Sequence, residues 1–248
     1  MPAIHKSIYP RVRKHLQRKG LLKTAWRCLL GPSQFIKEYS SSHRDYPGPA
    51  VPHEFDVTHG IETSTRIHPT DLRIESQNWF CTAGYWPTPT KIFEEALSAL
   101  QIRYEDFIFI DFGSGKGRAL FLASDHPFRR IIGIEFSPEL HALAQENIRR
   151  YASNTQKCRD IASICMDFTQ FKLPTEPLVL FFYNPASSDV MATVATNIAR
   201  SLEEKYRPIL VIYLTPSYNV FESGNPLRLR RIPVSSDKYS IYASGEQR

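Results

Sequence analysis

Residues 111–118 read Asp-Phe-Gly-Ser-Gly-Lys-Gly-Arg, and this glycine-rich stretch carries the most information about the type of fold. An apolar run that ends in an acid, Phe107–Asp111, precedes it, and an apolar helical pattern continues to about Ser124. Three alternate glycines let a backbone turn tightly and approach a ligand. The free N–H groups at the start of the following helix suit an anion such as a carboxylate. The stretch therefore predicts a strand, a ligand-binding loop and a helix.

Strands and helices alternate along the rest of the chain. Further apolar strands are predicted at Ile131–Glu135, Ile161–Cys165, Leu178–Tyr183 and Ile209–Leu214. Helices are predicted at about 90–100, 137–151 and 189–205, and the runs 227–234 and 238–243 resemble an antiparallel hairpin. This alternation indicates an α/β fold, with a doubly wound, mostly parallel sheet of about seven strands. In such a sheet a ligand binds at the carboxyl ends of the strands, near the topological switch.

The positive charge of the chain is concentrated in its first part. The net charge is +6, but residues 1–45 hold ten Lys or Arg and two acids, a local charge of +8. We expect three parts: a helical, basic N-terminal extension (1–45), a linker and lid segment rich in Ser, Pro and Gly (46–84), and the main domain (85–248). The basic extension is compatible with a solvated or locally packed helix, with an anionic membrane or nucleic-acid surface, or with an acidic protein substrate.

Composition excludes several other classes of protein. No apolar run approaches the roughly 20 residues that span a bilayer, and the basic N-terminal stretch lacks the apolar centre of a secretory signal. The four cysteines form no Cys-x-x-Cys pair and predict reduced thiols rather than a disulfide framework or a zinc site. The sequence therefore predicts a cytoplasmic protein.

The glycine-rich stretch matches neither of two common phosphate-binding patterns. A P-loop needs Ser or Thr directly after its lysine, and here Gly117 follows Lys116. A dinucleotide fingerprint needs Gly or Ala at its sixth position, which is Arg118. Glu135 ends the second strand, where an acid can accept hydrogen bonds from ribose hydroxyls. An oxidoreductase with a nicotinamide cofactor therefore remains an alternative.

Taken together, these motifs resemble those of the class I (seven-strand, Rossmann-like) S-adenosylmethionine (SAM)-dependent methyltransferases. Residues 111–118 resemble the first motif of that family and Glu135 the second. Residues 166–168 (Met-Asp-Phe) resemble the position that contacts adenine, and residues 183–185 (Tyr-Asn-Pro) the fourth motif. The resemblance, which also extends to uncharacterised bacterial methyltransferase domains, implies SAM as cofactor. It also implies the strand order 3-2-1-4-5-7-6, with the last strand antiparallel.

The resemblance also implies a set of cofactor-binding residues. Asp111 would hold the loop and reach the methionine amino group through water, Glu135 would bind the ribose, and Asp167 with Phe168 would bind the adenine. The loop residues that would line the cofactor are Gly113, Ser114, Gly115 and Gly117. Residues 85–89 (Tyr-Trp-Pro-Thr-Pro) resemble a lid segment of seven-strand protein-lysine methyltransferases, in which Tyr85 and Thr88 would contact the cofactor.

The fourth motif implies the chemistry of the methyl acceptor. Tyr183, Asn184 and Pro185 would form the catalytic turn, because the Asn-Pro pair resembles the start of the Asn-Pro-Pro-[Phe/Tyr] motif that orients a neutral amine. We therefore predict N-methylation of an amino group on a protein. Ala186 and Ser187 depart from the motif, which keeps a non-catalytic Rossmann-like binding module as an alternative. The few acids near this turn predict no metal.

Overall fold

One seven-stranded sheet forms the centre of the computed structural model, which describes residues 54–67, 72, 84–183, 185–216, 220–221 and 229–244. The strands are β1 (Ile108–Phe112), β2 (Arg130–Glu135), β3 (Ile161–Cys165), β4 (Leu178–Tyr183), β5 (Ile209–Leu214), β6 (Leu229–Ile232) and β7 (Tyr239–Ser244). The helices are α1 (Glu54–His59), α2 (Thr90–Ser98), α3 (Arg118–Ser124), α4 (Pro138–Arg150) and α5 (Ser188–Glu204). Short 3-10 turns cover Tyr104–Asp106 and Phe168–Gln170.

The order of the strands is β3-β2-β1-β4-β5-β7-β6. The first five in this order pair in parallel, β7 pairs antiparallel to β5, and β6 pairs antiparallel to β7. The predicted α/β class, the predicted order and the antiparallel last strand are all confirmed. The order reverses between β1 and β4, where Phe112 lies between Ile134 of β2 and Phe182 of β4. The loops that leave these three strands therefore start side by side at the switch point.

Both faces of the sheet are covered, which explains the continuous apolar runs in the sequence. Every residue of β1 and β5 is buried, as expected for strands with helices on both faces. On one face Phe112 stacks on Phe182 with ring centroids 4.8 Å apart, and helix α5 packs over them. On the other face Phe109 and Phe181 pack against α2 and α3. The loops at the switch point thus begin at strands that are packed on both faces of the sheet.

Helix α4 begins as the sequence predicts. The Ser137 hydroxyl accepts a hydrogen bond from the Leu140 N–H at 3.3 Å, and Pro138 occupies the first turn. Arg149 and Arg150 lie in the last turn, where positive charge is favourable. The cap fixes the Ser137 backbone directly after β2, beside the side chain of Glu135.

Part of the predicted linker and lid segment, 46–84, lies among the described residues. Helix α1 is followed by a stretch without helix or strand up to Ile67, whose backbone pairs with that of Tyr85 at 3.1 and 2.8 Å. The basic extension 1–45 and its predicted helices lie outside the described residues. Across the ranges given above, no helix has the length and apolar character needed to cross a bilayer.

Candidate functional site

The loop between β1 and α3 adopts a conformation that requires glycine. The φ angles of Gly113, Gly115 and Gly117 are +85°, +54° and +91°, a region that side chains with a Cβ rarely adopt. The N–H groups of Gly113 and Ser114 donate to the Ile134 carbonyl at 2.9 and 3.1 Å. The loop is thereby folded over the end of β2.

Two other segments lie directly against this loop. A Cβ at Gly113 would come within 2.8 Å of the Pro185 Cβ, so Pro185 packs on the first glycine. A Cβ at Gly115 would overlap the ring of Tyr85. The structure therefore brings the predicted lid residue Tyr85 and the predicted catalytic residue Pro185 to the predicted cofactor loop.

Glu135 connects the loop to the second strand. Its carboxylate accepts hydrogen bonds from the Gly115 N–H and the Ser137 N–H, both at 2.8 Å, and the residue is 2% exposed. Burial raises the pKa of Glu135 to about 7, although the backbone N–H groups of Ser137, Gly115 and Phe136 act in the opposite direction. The side chain thus joins the loop to the end of β2.

Asp111 is a second buried carboxyl beside Glu135. It lies on β1 opposite Gly133 of β2. Burial, with a smaller contribution from the Glu135 carboxylate, raises the pKa of Asp111 well above its ordinary value. A cationic group bound nearby would reverse this effect, because an opposite charge favours the ionised carboxylates. The pair therefore suits a ligand that presents an ammonium group or hydroxyl donors.

Two residues predicted to bind adenine follow β3. Asp167 accepts hydrogen bonds from the Thr169 N–H at 2.9 Å and the Thr169 hydroxyl at 2.7 Å, and so caps the 3-10 turn. Phe168 is buried and packs edge-on against Phe112, with ring centroids 5.8 Å apart. The Phe168 ring therefore belongs to the core, and its contact with an adenine remains a prediction.

The remaining predicted residues lie in different surroundings. The Ser114 hydroxyl is buried and would lie 2.6 Å from a Cβ at Gly133, so it faces β2. Thr88 is buried just before α2, and Tyr183 ends β4 half-buried. Asn184 lies outside the described residues.

An arginine that the sequence did not single out lies beside the end of β4. The Arg66 guanidinium carbon lies 4.0 Å from the ring centroid of Trp86, a cation–π arrangement. Burial raises the pKa of Tyr183, and the charge of Arg66 opposes that rise, which places the three side chains in one neighbourhood. The predicted lid segment 85–89 therefore already contacts a cation through Trp86.

The sequence also missed the roles of Lys116 and Arg118, the two basic residues of the glycine-rich stretch. Both are buried, and they form ion pairs with Glu62 at 2.6 Å and with Asp56 at 3.0 Å. The sequence did offer one signal for these roles: the glycine-rich stretch contains two basic residues that neither phosphate-binding pattern accounts for. Among the residues with described side chains, no group of three His, Cys, Asp or Glu could hold a metal ion.

The strand order and the glycine loop at the switch point give the chain the Rossmann-like fold of the class I methyltransferases. No family model and no curated protein sequence matches the chain. Solved structures similar to it include an RNA methyltransferase from Salinibacter ruber in complex with S-adenosyl-L-homocysteine. It is 19% identical, with 64% of this chain and 92% of that chain covered and a TM-score of 0.42.

Two other similar structures are described as acting on different substrates. A precorrin-6y C5,15-methyltransferase from Geobacter metallireducens is 14% identical, with 73% and 96% of the two chains covered and a TM-score of 0.45. A predicted N6-adenine-specific DNA methylase from Listeria monocytogenes is 14% identical, with 65% and 52% covered and a TM-score of 0.46. These are distant likenesses, and the fold is defined by the strand order and register given above.

Proposed function

We propose that the protein is a SAM-dependent methyltransferase. The observation that carries the proposal is the glycine loop 113–117 at the switch between β1 and β4, joined by a hydrogen bond to the buried carboxylate of Glu135. Glycines with left-handed φ angles let a loop backbone approach a ligand closely. A strand-end acid beside it can accept hydrogen bonds from hydroxyl groups.

The residues around the loop fit the chemical groups of SAM. Each oxygen of the Glu135 carboxylate accepts one N–H, and a carboxylate has about four acceptor positions. Because the Phe136 N–H also acts on this carboxylate, about one position remains for a ribose hydroxyl without releasing the loop. Asp111 supplies a second carboxyl for an ammonium group, and Asp167 supplies an acceptor after β3 for an exocyclic amine.

The proposed chemistry requires positioning more than a dedicated nucleophile. SAM supplies a methyl group on a sulfonium, which an acceptor can attack in line. The role of the chain is to hold the acceptor close and to exclude water. Pro185 packs on Gly113, so the chain passes next to the loop shortly after β4. Backbone carbonyls and the Tyr183 side chain of this turn would orient the acceptor.

We propose an amino group on a protein as the acceptor. The Asn-Pro pair at 184–185 and the aromatic lid support this choice, since the ring of Trp86 already accepts a cation from Arg66. The basic residues of 1–45 would attract an acidic protein substrate or another anionic surface. The free thiols of Cys158 and Cys165 agree with a reducing, cytoplasmic setting.

One observation favours a second candidate, a binding module without catalysis. Glu135 is 2% exposed, and its carboxylate is already bonded to the N–H groups of Gly115 and Ser137. A loop locked in this state would bind SAM weakly or not at all. The two candidates differ in whether the wild-type chain binds and turns over SAM.

Calorimetric titration of the full chain with SAM, S-adenosylhomocysteine and NADH tests the proposal. We expect saturable binding of SAM and its demethylated product and none of NADH. Methyl-labelled SAM added to cell extract should then label a protein in the presence of the wild type but not of Gly115→Val. Glu203→Gln, an exposed change on α5, is the matched control. Binding without any labelled acceptor would favour the module, and binding of NADH alone would favour an oxidoreductase.

A further inference from the structure

We propose that Lys116 and Arg118 are positioning residues, which hold the ring of Tyr85 against the glycine loop through the segment 54–67. This inference rests on the proposed function, because it concerns how the cofactor loop is kept in its binding conformation. Lys116 is 1% exposed and Arg118 is 4% exposed, so a ligand on the loop cannot reach either charge directly. Both must act through the groups that surround them.

Arg118 fixes the middle of the segment. Its guanidinium donates to the Asp56 carboxylate at 3.0 Å, to the Thr63 hydroxyl at 2.8 Å and to the Ser64 hydroxyl at 2.7 Å. The same carboxylate accepts from the N–H groups of Thr63 and Ser64 at 2.8 and 2.7 Å. Thr63 and Ser64 are therefore both hydrogen-bonded to one buried ion pair. Burial raises the pKa of Asp56, but the hydrogen bonds from Ser64 and Thr63 and the charge of Arg118 together outweigh it. The pKa of Asp56 is therefore lower than its ordinary value.

Lys116 binds the residues on either side of Thr63 and Ser64. Its ammonium group donates to the Glu62 carboxylate at 2.6 Å and to the Thr65 carbonyl at 3.0 Å. It also lies 5.2 Å from the ring centroid of Tyr85, within the range of a cation–π contact. A single buried cation thus contacts the segment and the aromatic ring that covers the loop.

Asn147 of α4 joins the backbone of the segment to that of the loop. Its side-chain oxygen accepts from the Glu62 N–H at 3.0 Å. Its amide donates to the Glu62 carbonyl at 2.8 Å and to the Lys116 carbonyl at 3.0 Å. The segment is consequently attached to the loop through both backbone and side chains.

The segment in turn holds Tyr85. The Tyr85 hydroxyl donates to the Thr63 carbonyl at 2.6 Å, and the Tyr85 backbone pairs with Ile67. The ring then lies on the side of Gly115 where a Cβ would point. Lys116 and Arg118 thus hold the segment 54–67, the segment holds Tyr85, and the Tyr85 ring packs on Gly115.

This arrangement indicates a role in conformation rather than in stability alone. A buried ion pair contributes little net stability, because desolvation offsets the attraction between the charges. The Arg118–Asp56 pair is buried on both sides, whereas the Lys116–Glu62 pair is buried only at its lysine. Both pairs join the glycine-rich stretch 111–118 to the segment 54–67, so the conformation of the stretch depends on the docked segment. A small displacement of the groups that position a ligand can weaken function about a hundredfold.

The first test measures SAM and S-adenosylhomocysteine affinity for Lys116→Met and Arg118→Lys in the full chain. Lys116→Met leaves Glu62 half-exposed, so folding should survive. Arg118→Lys keeps the charge but loses the planar fork that serves three acceptors. We expect affinity at least about tenfold weaker for Lys116→Met and a smaller loss for Arg118→Lys. Arg150→Met, which removes an exposed ion pair with Glu146 on α4, should bind like the wild type.

A double-mutant cycle separates positioning from stability. If Lys116 acts through Tyr85, Lys116→Met should add almost nothing to the loss already caused by Tyr85→Leu. Ligand-free hydrogen exchange should show faster exchange of the 113–117 amides in Lys116→Met but not in Arg150→Met. Wild-type affinity in Lys116→Met, or additive losses in the double variant, would overturn the inference while the proposed function stands. A wild type that binds neither SAM nor its product would overturn both.

Discussion

The Glu135 carboxylate accepts a hydrogen bond from the Gly115 N–H at 2.8 Å. This bond joins the end of β2 to the middle of the glycine loop, across the edge of the sheet where the ligand of a doubly wound fold binds. The acid that the sequence assigned to a ribose therefore also supports the loop. The protonation of Glu135 and the shape of the loop are consequently linked.

Replacing Glu135 with Gln should change how stability depends on pH. Burial raises the pKa of Glu135 from about 4.5 to about 7, so the folded state holds a proton that the unfolded state releases between these values. The free energy of unfolding then falls as pH rises from about 4.5 to 7, by about 3 kcal/mol for this group alone. Urea unfolding at several pH values should show a flatter profile for Glu135→Gln. An unchanged slope in Glu135→Gln, equal to that of the control Glu203→Gln, would contradict this assignment.

Gly115→Ala should be much more harmful than Gly60→Ala. Both glycines have positive φ angles, +54° and +65°, so either alanine costs about 1–2 kcal/mol of backbone strain. A Cβ at Gly60 meets no atom within 4 Å, whereas one at Gly115 meets the Tyr85 ring. We expect a further loss of about 1–3 kcal/mol for Gly115→Ala and strongly weakened SAM binding. Chemical denaturation and calorimetry of both variants measure the difference, and equal losses would show that the ring moves away freely.

Arg207→Met should destabilise the fold without affecting the site. The guanidinium is buried at the opposite edge of the sheet, where it donates to the carbonyls of Glu176, Ser201, Lys205 and Pro174 at 2.6–3.1 Å. Leaving several buried carbonyls without donors should cost about 3 kcal/mol or more. Thermal unfolding should show a clear drop, with SAM affinity unchanged at temperatures where the variant is folded. The exposed Arg200→Met on α5 is the matched control, and a joint loss of affinity would contradict the separation of the two regions.

The extent of prediction from sequence follows from the range of the interactions involved. Apolar runs such as Leu178–Tyr183 define their strands locally, so strand positions could be predicted, and the resemblance of the motifs supplied the strand order. The contact of Arg118 with Asp56 joins residues 62 positions apart, in a stretch whose composition is typical of a linker. No local pattern predicts that pair. The orientation of the Ser114 side chain could not be predicted from the sequence either, because it depends on the left-handed φ angles of Gly113 and Gly115.

Ser114→Ala should preserve or raise stability and should leave SAM affinity unchanged. Among the described residues the Ser114 hydroxyl has no hydrogen-bond partner, and it faces β2. Removing an unsatisfied buried hydroxyl is expected to gain up to about 1 kcal/mol. Ser124→Ala is the matched control, since the buried Ser124 hydroxyl donates to the Phe121 carbonyl at 2.7 Å, and its loss should cost about 1 kcal/mol. Urea unfolding and calorimetry compare the two variants. A tenfold loss of affinity in Ser114→Ala would instead place its hydroxyl on the cofactor, as the family resemblance implies.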